Sequence, residues 1–495
     1  MMRRILMMVL VAGGFFLAPG GLMADEESAQ KLVEELNKDG TIRGDASAKA
    51  WKVLFDAYLA MSSPPQPVSS TFNQGSIWPG MSEWGDVSKW ASSNSGMAEA
   101  IIRSADRTII GLPYGAENVP NSYSEAGLSV DILIDGGQPV VEFNYFKALD
   151  TIAAFATAEI YRRFEIGDVD GALSLLNSKL FVLRMFCDRQ FMEEKTHTFE
   201  LLTESLANAR DMYWTYMDQI SPDQFREISL RQLPYLRPDR ARLLIPEADR
   251  YVAEAIMEQV FDKETGDPIP DRFVEVFTRL QSEKEPLTRL GAAARWRAIA
   301  GRHASMDASK ERLTLIYDDW WRRWRARDYG YIISLASEFE KANGMRYAAV
   351  LLSIENIQEL FEIRNRLRVA VYGTAISAGL CGFHRRYGEY PVDQSISAQR
   401  LYGSEITRQI DKDPYNFLDK PEVLGPFHYR KIKNKTLLMV AGDRLWLEPG
   451  SALLYSVGSD EQDDRGEEHA ELGDDADIIL WPPIKALLRK NGVLE

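Results

Sequence analysis

Apolar residues recur along most of this chain at helical spacing, with strand-like alternation confined to a few short stretches. Residues 26–60 read as helical, with Leu32 and Leu36, then Trp51, Leu54, Phe55 and Tyr58 on the inward faces. "SSPPQPVSS" interrupts that pattern. The next stretch, 72–102, reads as irregular: it spaces Trp78, Trp84 and Trp90 six residues apart among Gly, Ser and Pro. Exposed tryptophans stack on sugar rings, whereas buried ones anchor a loop to a core, and both readings stand at this point. "SVDILIDGGQPVVEF" predicts a strand or hairpin.

Beyond it the chain turns strongly helical. Leu149, Ile152, Ala153, Ala156 and Ile160 follow one helix face, and "EIGDVDGAL" supplies a turn in which Asp168 or Asp170 is suited to cap the next helix. The result is an antiparallel helix pair. Further helices are predicted over 193–219, 222–232, 239–261 and 271–281, the second opening with Ser221 as N-cap and Pro222 in the first turn. In "DDWWRRWRARDYG" Trp320 and Trp324 share a face at i, i+4 while the arginines take the other faces, so a core stripe with a charged outer side accounts for it. One long helix is predicted over 348–387. Gly388 is placed to end it in a left-handed conformation, and Pro391 to forbid its resumption. The expected fold is therefore mainly α: helical hairpins or a bundle, then a long helix and a small antiparallel β module at the C-terminus, an α+β arrangement.

Composition narrows the function. The chain has 495 residues, 45% hydrophobic, and a formal net charge of −15, which suits a folded protein and argues against a nucleic-acid partner. Much of the negative excess sits in one place, because ten carboxylates and only Arg465 lie between Asp460 and Asp477. Arg3 and Arg4, the apolar run from Ile5 to Ala18 and the small residue Ala24 have the layout of a secretory signal peptide over 1–24. That run is shorter than the ~20 residues a spanning helix needs. The expectation is a mature chain without a membrane span, in the periplasm or outside the cell. Cys187 continues an apolar helical spacing and is expected to be a buried small hydrophobe, not a nucleophile. The expected divisions are the signal peptide, an N-terminal helical and Trp-rich segment (25–140), an α-helical hairpin domain (141–345) and a C-terminal part (346–495).

That C-terminal part resembles a known family. A long apolar helix running into Phe383, Tyr387, Gly388, Tyr390 and Pro391 is similar to the place where the N-terminal helix of type II secretion major pseudopilins gives way to their globular domain. The likeness continues through Asp413-Pro414, "LLYSVGSDEQDDRG" and "DDADIIL", and covers about 350–482. By this resemblance the acidic segment is a calcium site with Asp460, Asp475 and Asp477 as ligands and Ser456 or the Val457 carbonyl nearby. Glu461 stands where the family usually has Gly, and "QDDRGEEHAEL" is longer than usual. Without the family's resemblance in mind, the same charge reads as a solvated acidic loop. The chain lacks the prepilin start, so it is not expected to be a pilus subunit.

Sequence signatures of nucleotide loops, nucleophile elbows and zinc sites are missing, and the five histidines show no ligand spacing. The leading expectation is a non-catalytic interaction or scaffold protein with an envelope or secreted protein as partner. The second is a secreted α/α-barrel-like enzyme acting on polysaccharide through two carboxylates, which need only meet in space.

Overall fold

The computed structural model describes residues 29–65, 73–135, 138–236, 243–284, 291–325, 335–392, 412–418, 423–440, 442–466 and 476–493. Within them the chain is mainly helical, with small antiparallel sheets, most of them near the C-terminus. The signal-peptide segment 1–24 lies outside the described residues.

Helix α1 (29–36) ends in a turn where the Asp39 carboxylate accepts the Thr41 N–H at 2.6 Å, and α2 (Trp51–Ala60) follows. The single helical run expected over 26–60 is thus two helices, because Asn37 to Gly40 form a local turn that competes with helix. The tryptophan stretch also differs from expectation. It folds into α3 (Trp84–Ser93) and α4 (Ser95–Ala105), which bury Val87, Trp90 and Ala91, then Met97, Ala100 and Ile101. That is i, i+3, i+4 spacing hidden by serines and glycines on the outer faces. A four-residue helix α5 (Asn121–Ser124) precedes the hairpin β1 (Asp131–Asp135) and β2 (Gln138–Glu142), paired antiparallel as the alternation predicts.

The helix pair is α6 (Phe146–Glu165) and α7 (Val169–Phe186), and Asp168 caps the second by accepting the Gly171 N–H at 3.1 Å. Helix α6 is buried nearly all round, since its alanines let neighbours approach on every side. Next come α8 (Met192–Thr215) and α9 (Pro222–Glu227), the latter opened by a Ser221–Gln224 capping box. One π turn (Ile228–Gln232) and the short α10 (Leu233–Tyr235) continue it, and the π turn packs on the long helix, with Ser229 Oγ donating to the Ala375 carbonyl at 2.7 Å. Then follow α11 (Ala248–Val260), α12 (Pro270–Lys284), α13 (Ala292–Ala300) and α14 (Met306–Arg325). Trp320 and Trp324 are buried on one face of α14, together with Arg323, which pairs with Asp319 at 2.9 Å.

The helix expected over 348–387 is broken. A short helix (Ala348–Ser353) gives way to extended Ile354, and Asn356 then accepts the Gln358 N–H to start the long helix (Gln358–Tyr387). Gly388 ends it in the left-handed region, at φ 76°. The long helix makes its most extensive helix contact with α8 and also touches the C-terminal strands. Those strands are β3 (Lys412–Phe417) with β4 (Leu424–Pro426), the hairpin β6 (Thr436–Val440) with β7 (Asp443–Leu447), and a three-stranded sheet. The sheet orders β5 (His428–Lys431), β8 (Ala452–Ser456) and β9 (Ile478–Trp481), and a last helix (Ile484–Lys490) closes the described chain. One core runs from Leu32 to Trp481, and a smaller one lies under the C-terminal hairpin.

The N-terminal segment is tied to that core by a buried carboxylate. Glu194 is fully buried and accepts from Tyr114 Oη at 2.7 Å, Tyr145 Oη at 2.9 Å, Arg189 Nε at 2.8 Å and the Phe191 N–H at 3.3 Å. Replacing it leaves Arg189, itself buried, without its counter-charge. Glu194→Gln is therefore expected to lower stability by about 3–5 kcal/mol, the usual cost of breaking a buried pair from one side. Urea unfolding should show a lower midpoint at unchanged slope.

Candidate metal centre

The sites worth weighing are places where ionisable groups are buried, because there burial forces either pairing or altered protonation. Five acidic side chains are buried among the described residues: Glu159, Glu194, Asp211, Asp413 and Asp477. Four of them are fully engaged by the protein. Glu159 holds Arg162 and Arg163, and Glu194 has the four donors given above. Asp211 accepts from Tyr161 Oη at 2.6 Å and pairs with Arg489. Asp413, at the start of β3, accepts the Tyr415 N–H, the Ser456 hydroxyl at 2.8 Å and the Val457 N–H at 3.1 Å.

Asp477 is the exception. Its Oδ2 accepts the Gly466 N–H at 2.6 Å, but its Oδ1 is buried with no partner. Burial drives its carboxyl up to about 7; the charges of Asp463 and Asp464 reinforce this, and the backbone N–H groups of Gly466 and Asp464 oppose it. Asp464 Oδ2 is likewise buried without a partner. Asp463 is better served, by Tyr455 Oη at 2.9 Å, the Arg465 N–H at 2.9 Å and His428 Nδ1 at 3.4 Å. The loop carries backbone strain as well. Glu461 (φ 60°) and Arg465 (φ 65°) are the only non-glycine residues at positive φ among those described. Side chains other than Gly, Asn and Asp rarely adopt that region, and such strain gathers where a ligand or fold constrains the chain.

The residues expected at a calcium site are placed as follows. Asp477 is buried at the end of the loop, and Asp460 is in the turn at its start, where it accepts the Gln462 N–H at 3.0 Å. The Ser456 hydroxyl and the Val457 N–H are both turned to Asp413. Asp475 lies outside the described residues. The two carboxylates brought toward Asp477, Asp463 and Asp464, were passed over because they fall within the insertion where the family resemblance supplies no position. Among the described residues no group of three or more His, Cys, Asp or Glu is arranged to hold a metal ion unaided. Asp464 Oδ2 and Asp477 Oδ1 are the two carboxylate oxygens of this turn that are buried without a hydrogen-bond partner.

Other perturbed groups are enclosed. Burial lowers the Lys179 ammonium to about 7, against the pull of Glu204, while its Nζ donates to Gln74 Oε1 at 2.6 Å and Thr157 Oγ1 at 2.7 Å. Nothing in the sequence flagged this lysine, which sits on the inner side of α7. The tryptophans are also occupied: Trp90 Nε1 donates to the Ser62 carbonyl, Trp84 Nε1 to Glu165, and Trp78 lies under the Arg489 guanidinium. A groove of about 450 Å³ between α2 and the α3–α4 junction is lined by Asp56, Asn94 and Arg103 among apolar residues. Cys187 and Cys381 are free and buried, and burial pushes the Cys187 thiol up to about 12.

No protein-family model matches this chain, and neither does any curated protein or solved structure.

Two measurements follow from these environments. The folded-state value of Lys179 lies below its unfolded value of 10.5, so the unfolded chain binds more protons between the two and stability rises with pH across about 7 to 10. Relative to Lys179→Met, the wild type should gain at most about 1.4 kcal/mol per pH unit there, read from urea midpoints at neutral and alkaline pH. Cys187, buried and far from its thiolate range, should resist thiol reagents in the native protein and label readily once unfolded.

Proposed function

We propose that this chain is an exported, non-catalytic interaction or scaffold protein whose pseudopilin-like C-terminal module takes up calcium at the acidic turn. The unpartnered buried oxygen of Asp477 carries this reading, because the other four buried acids, Glu159, Glu194, Asp211 and Asp413, have donors on both oxygens, while Asp464 beside it also has a buried oxygen without one. A calcium ion supplies the missing partner, and its tolerance of irregular oxygen cages suits a turn with Asp464 beside it. The strained Glu461, at the position where the family usually has Gly, also supports a turn shaped by a ligand. Asp460 and Asp475 belong to the same reading by resemblance. Export, by the signal-peptide layout, would put the site where calcium is abundant, and the partner would be another envelope or secreted protein.

The packing of Trp78, Trp84 and Trp90 weighs against their serving as sugar-stacking platforms, since each is engaged within the protein. No helix among the described residues is long and apolar enough to cross a membrane.

Thermal melts with millimolar calcium and with chelator test the proposal. An ion bound only by the folded state raises the melting point as its concentration grows. Asp477→Asn should have opposite effects in the two conditions. In chelator it removes a buried unpaired charge and raises the melting point, whereas in calcium it abolishes the ion's stabilisation and leaves the variant below wild type. A melting curve indifferent to calcium would overturn the calcium reading, and specific depolymerisation of a glycan would overturn the non-catalytic one.

A further inference from the structure

Strand β9 and the last helix do more than complete the C-terminal sheet. They reach across to the helical part of the molecule. Leu480 lies against Gly373 of the long helix, so close that a Cβ there would come within 2.4 Å of it. Trp481 is fully buried, edge-on to Trp214 of α8 at 5.3 Å, with its Nε1 3.3 Å from Tyr390 Oη. One turn further, Lys485 Nζ donates to Asn208 Oδ1 at 3.0 Å and to the Gly75 carbonyl, and Arg489 pairs with Asp211. Residues 478–490 therefore strap the C-terminal module to α8.

Three properties make this strap able to come off as a unit. Its helix has seven residues, too few to hold helical structure without a surface to dock on. Its strand lies at the edge of the sheet among the described strands, paired with β8 through a register shift between Leu454 and Tyr455. Its docking uses charged groups whose burial is costly, since desolvation lowers the Lys485 ammonium. The strap is also held at one end by the acidic turn. Asp413 secures the start of that turn at Ser456 and Val457, and its far end is secured by Asp477, one residue before β9, through backbone N–H groups of the turn itself, Gly466 at 2.6 Å and Asp464. At that anchor Asp464 Oδ2 and Asp477 Oδ1 are both buried without a partner.

We infer that residues 478–490 form a cation-controlled clasp: an ion held at Asp464 and Asp477 favours the docked state of Leu480, Trp481, Lys485 and Arg489, and its loss favours the undocked state. The clasp rests on the calcium reading and adds to it a consequence at a distance. Undocking uncovers the strip Asn208, Asp211 and Trp214 on α8, whose occupant in the docked state is an aromatic-then-basic segment of this same chain.

Linkage gives a test that a purely local site would fail to pass. If the ion favours docking, docking favours the ion by the same factor, so a variant that shifts the ion-free chain toward the undocked state weakens ion binding, by up to that factor. Arg489→Gln in the full chain removes the Asp211 pair without touching the turn, and is expected to lower calcium affinity about fivefold or more by calorimetric titration. Lys485→Gln should act the same way and serves if the first variant folds poorly. Arg297→Gln, which breaks an exposed pair with Asp271, should leave the affinity unchanged. In the wild type, calcium should slow amide exchange across 484–490 at least tenfold relative to chelator. Calcium binding with wild-type affinity in both strap variants, and with unchanged exchange there, would overturn the clasp while leaving the calcium site standing. Absence of calcium binding to the wild type would overturn the calcium reading and the clasp together.

Discussion

A carboxylate taken out of water must be met by donors or by a cation, and that requirement shapes this protein from one end to the other. Glu194 meets it with two tyrosines, an arginine and a backbone N–H drawn from separate segments, so the chain before α6 can reach its place only if those donors converge. The phenols of Tyr114 and Tyr145 are pushed well above their ordinary range, chiefly by burial, and so remain donors at any ordinary pH. Such a hub gains little over an apolar core in net free energy, since desolvation offsets most of the pairing. What it provides is specificity of arrangement, because no other packing of these segments would satisfy all the groups at once.

Perturbed protonation alone does not point to a working site. Lys179, Asp249 and Asp477 are all driven to about 7, yet their surroundings differ. Lys179 has its hydrogens committed to Gln74 and Thr157, and Asp249 accepts the Met192 N–H at the start of α8, where the helix dipole favours an anion. Both shifts are by-products of packing. Asp477 combines the shift with an unpartnered oxygen, two neighbouring acids and a strained turn, and the calcium proposal rests on that combination, not on the shift.

How much of this was legible in the sequence depends on the range of the interactions concerned. The α6–α7 hairpin, its Asp168 cap, the Ser221 capping box and the Gly388 stop are set by residues within one or two turns, and periodicity finds them. The breaks after α1 and after Ser353 were missed because a turn of Asp39 or Asn356 with its own backbone outweighs an apolar spacing that continues past it. Helices α3 and α4 were missed for the converse reason: serine and glycine on the outer faces masked two well-formed inner stripes. The acidic turn was visible as charge, but which acids are buried depends on Asp413, Tyr455 and His428, up to sixty-four residues away along the chain from Asp477. No local pattern encodes those partners.

The position of the turn gives its charge a mechanical meaning that a solvated loop would lack. Repulsion among exposed carboxylates is dissipated by water and salt over about 8–10 Å, so ten acids on a free loop would have little effect on the fold. Here the last of them is buried immediately before a strand whose next residues are inserted between α8 and the long helix. Whatever displaces Asp477 must therefore drag on Trp481 through a rigid extended segment of about 13 Å. The opposing anchor joins the apolar burial of Leu480 and Trp481 to polar contacts, with Lys485 and Arg489 giving up hydration to reach Asn208 and Asp211, so electrostatics at either end shifts the balance between holding and releasing. An element whose apolar packing is flanked by two charged attachments responds to a change at either one.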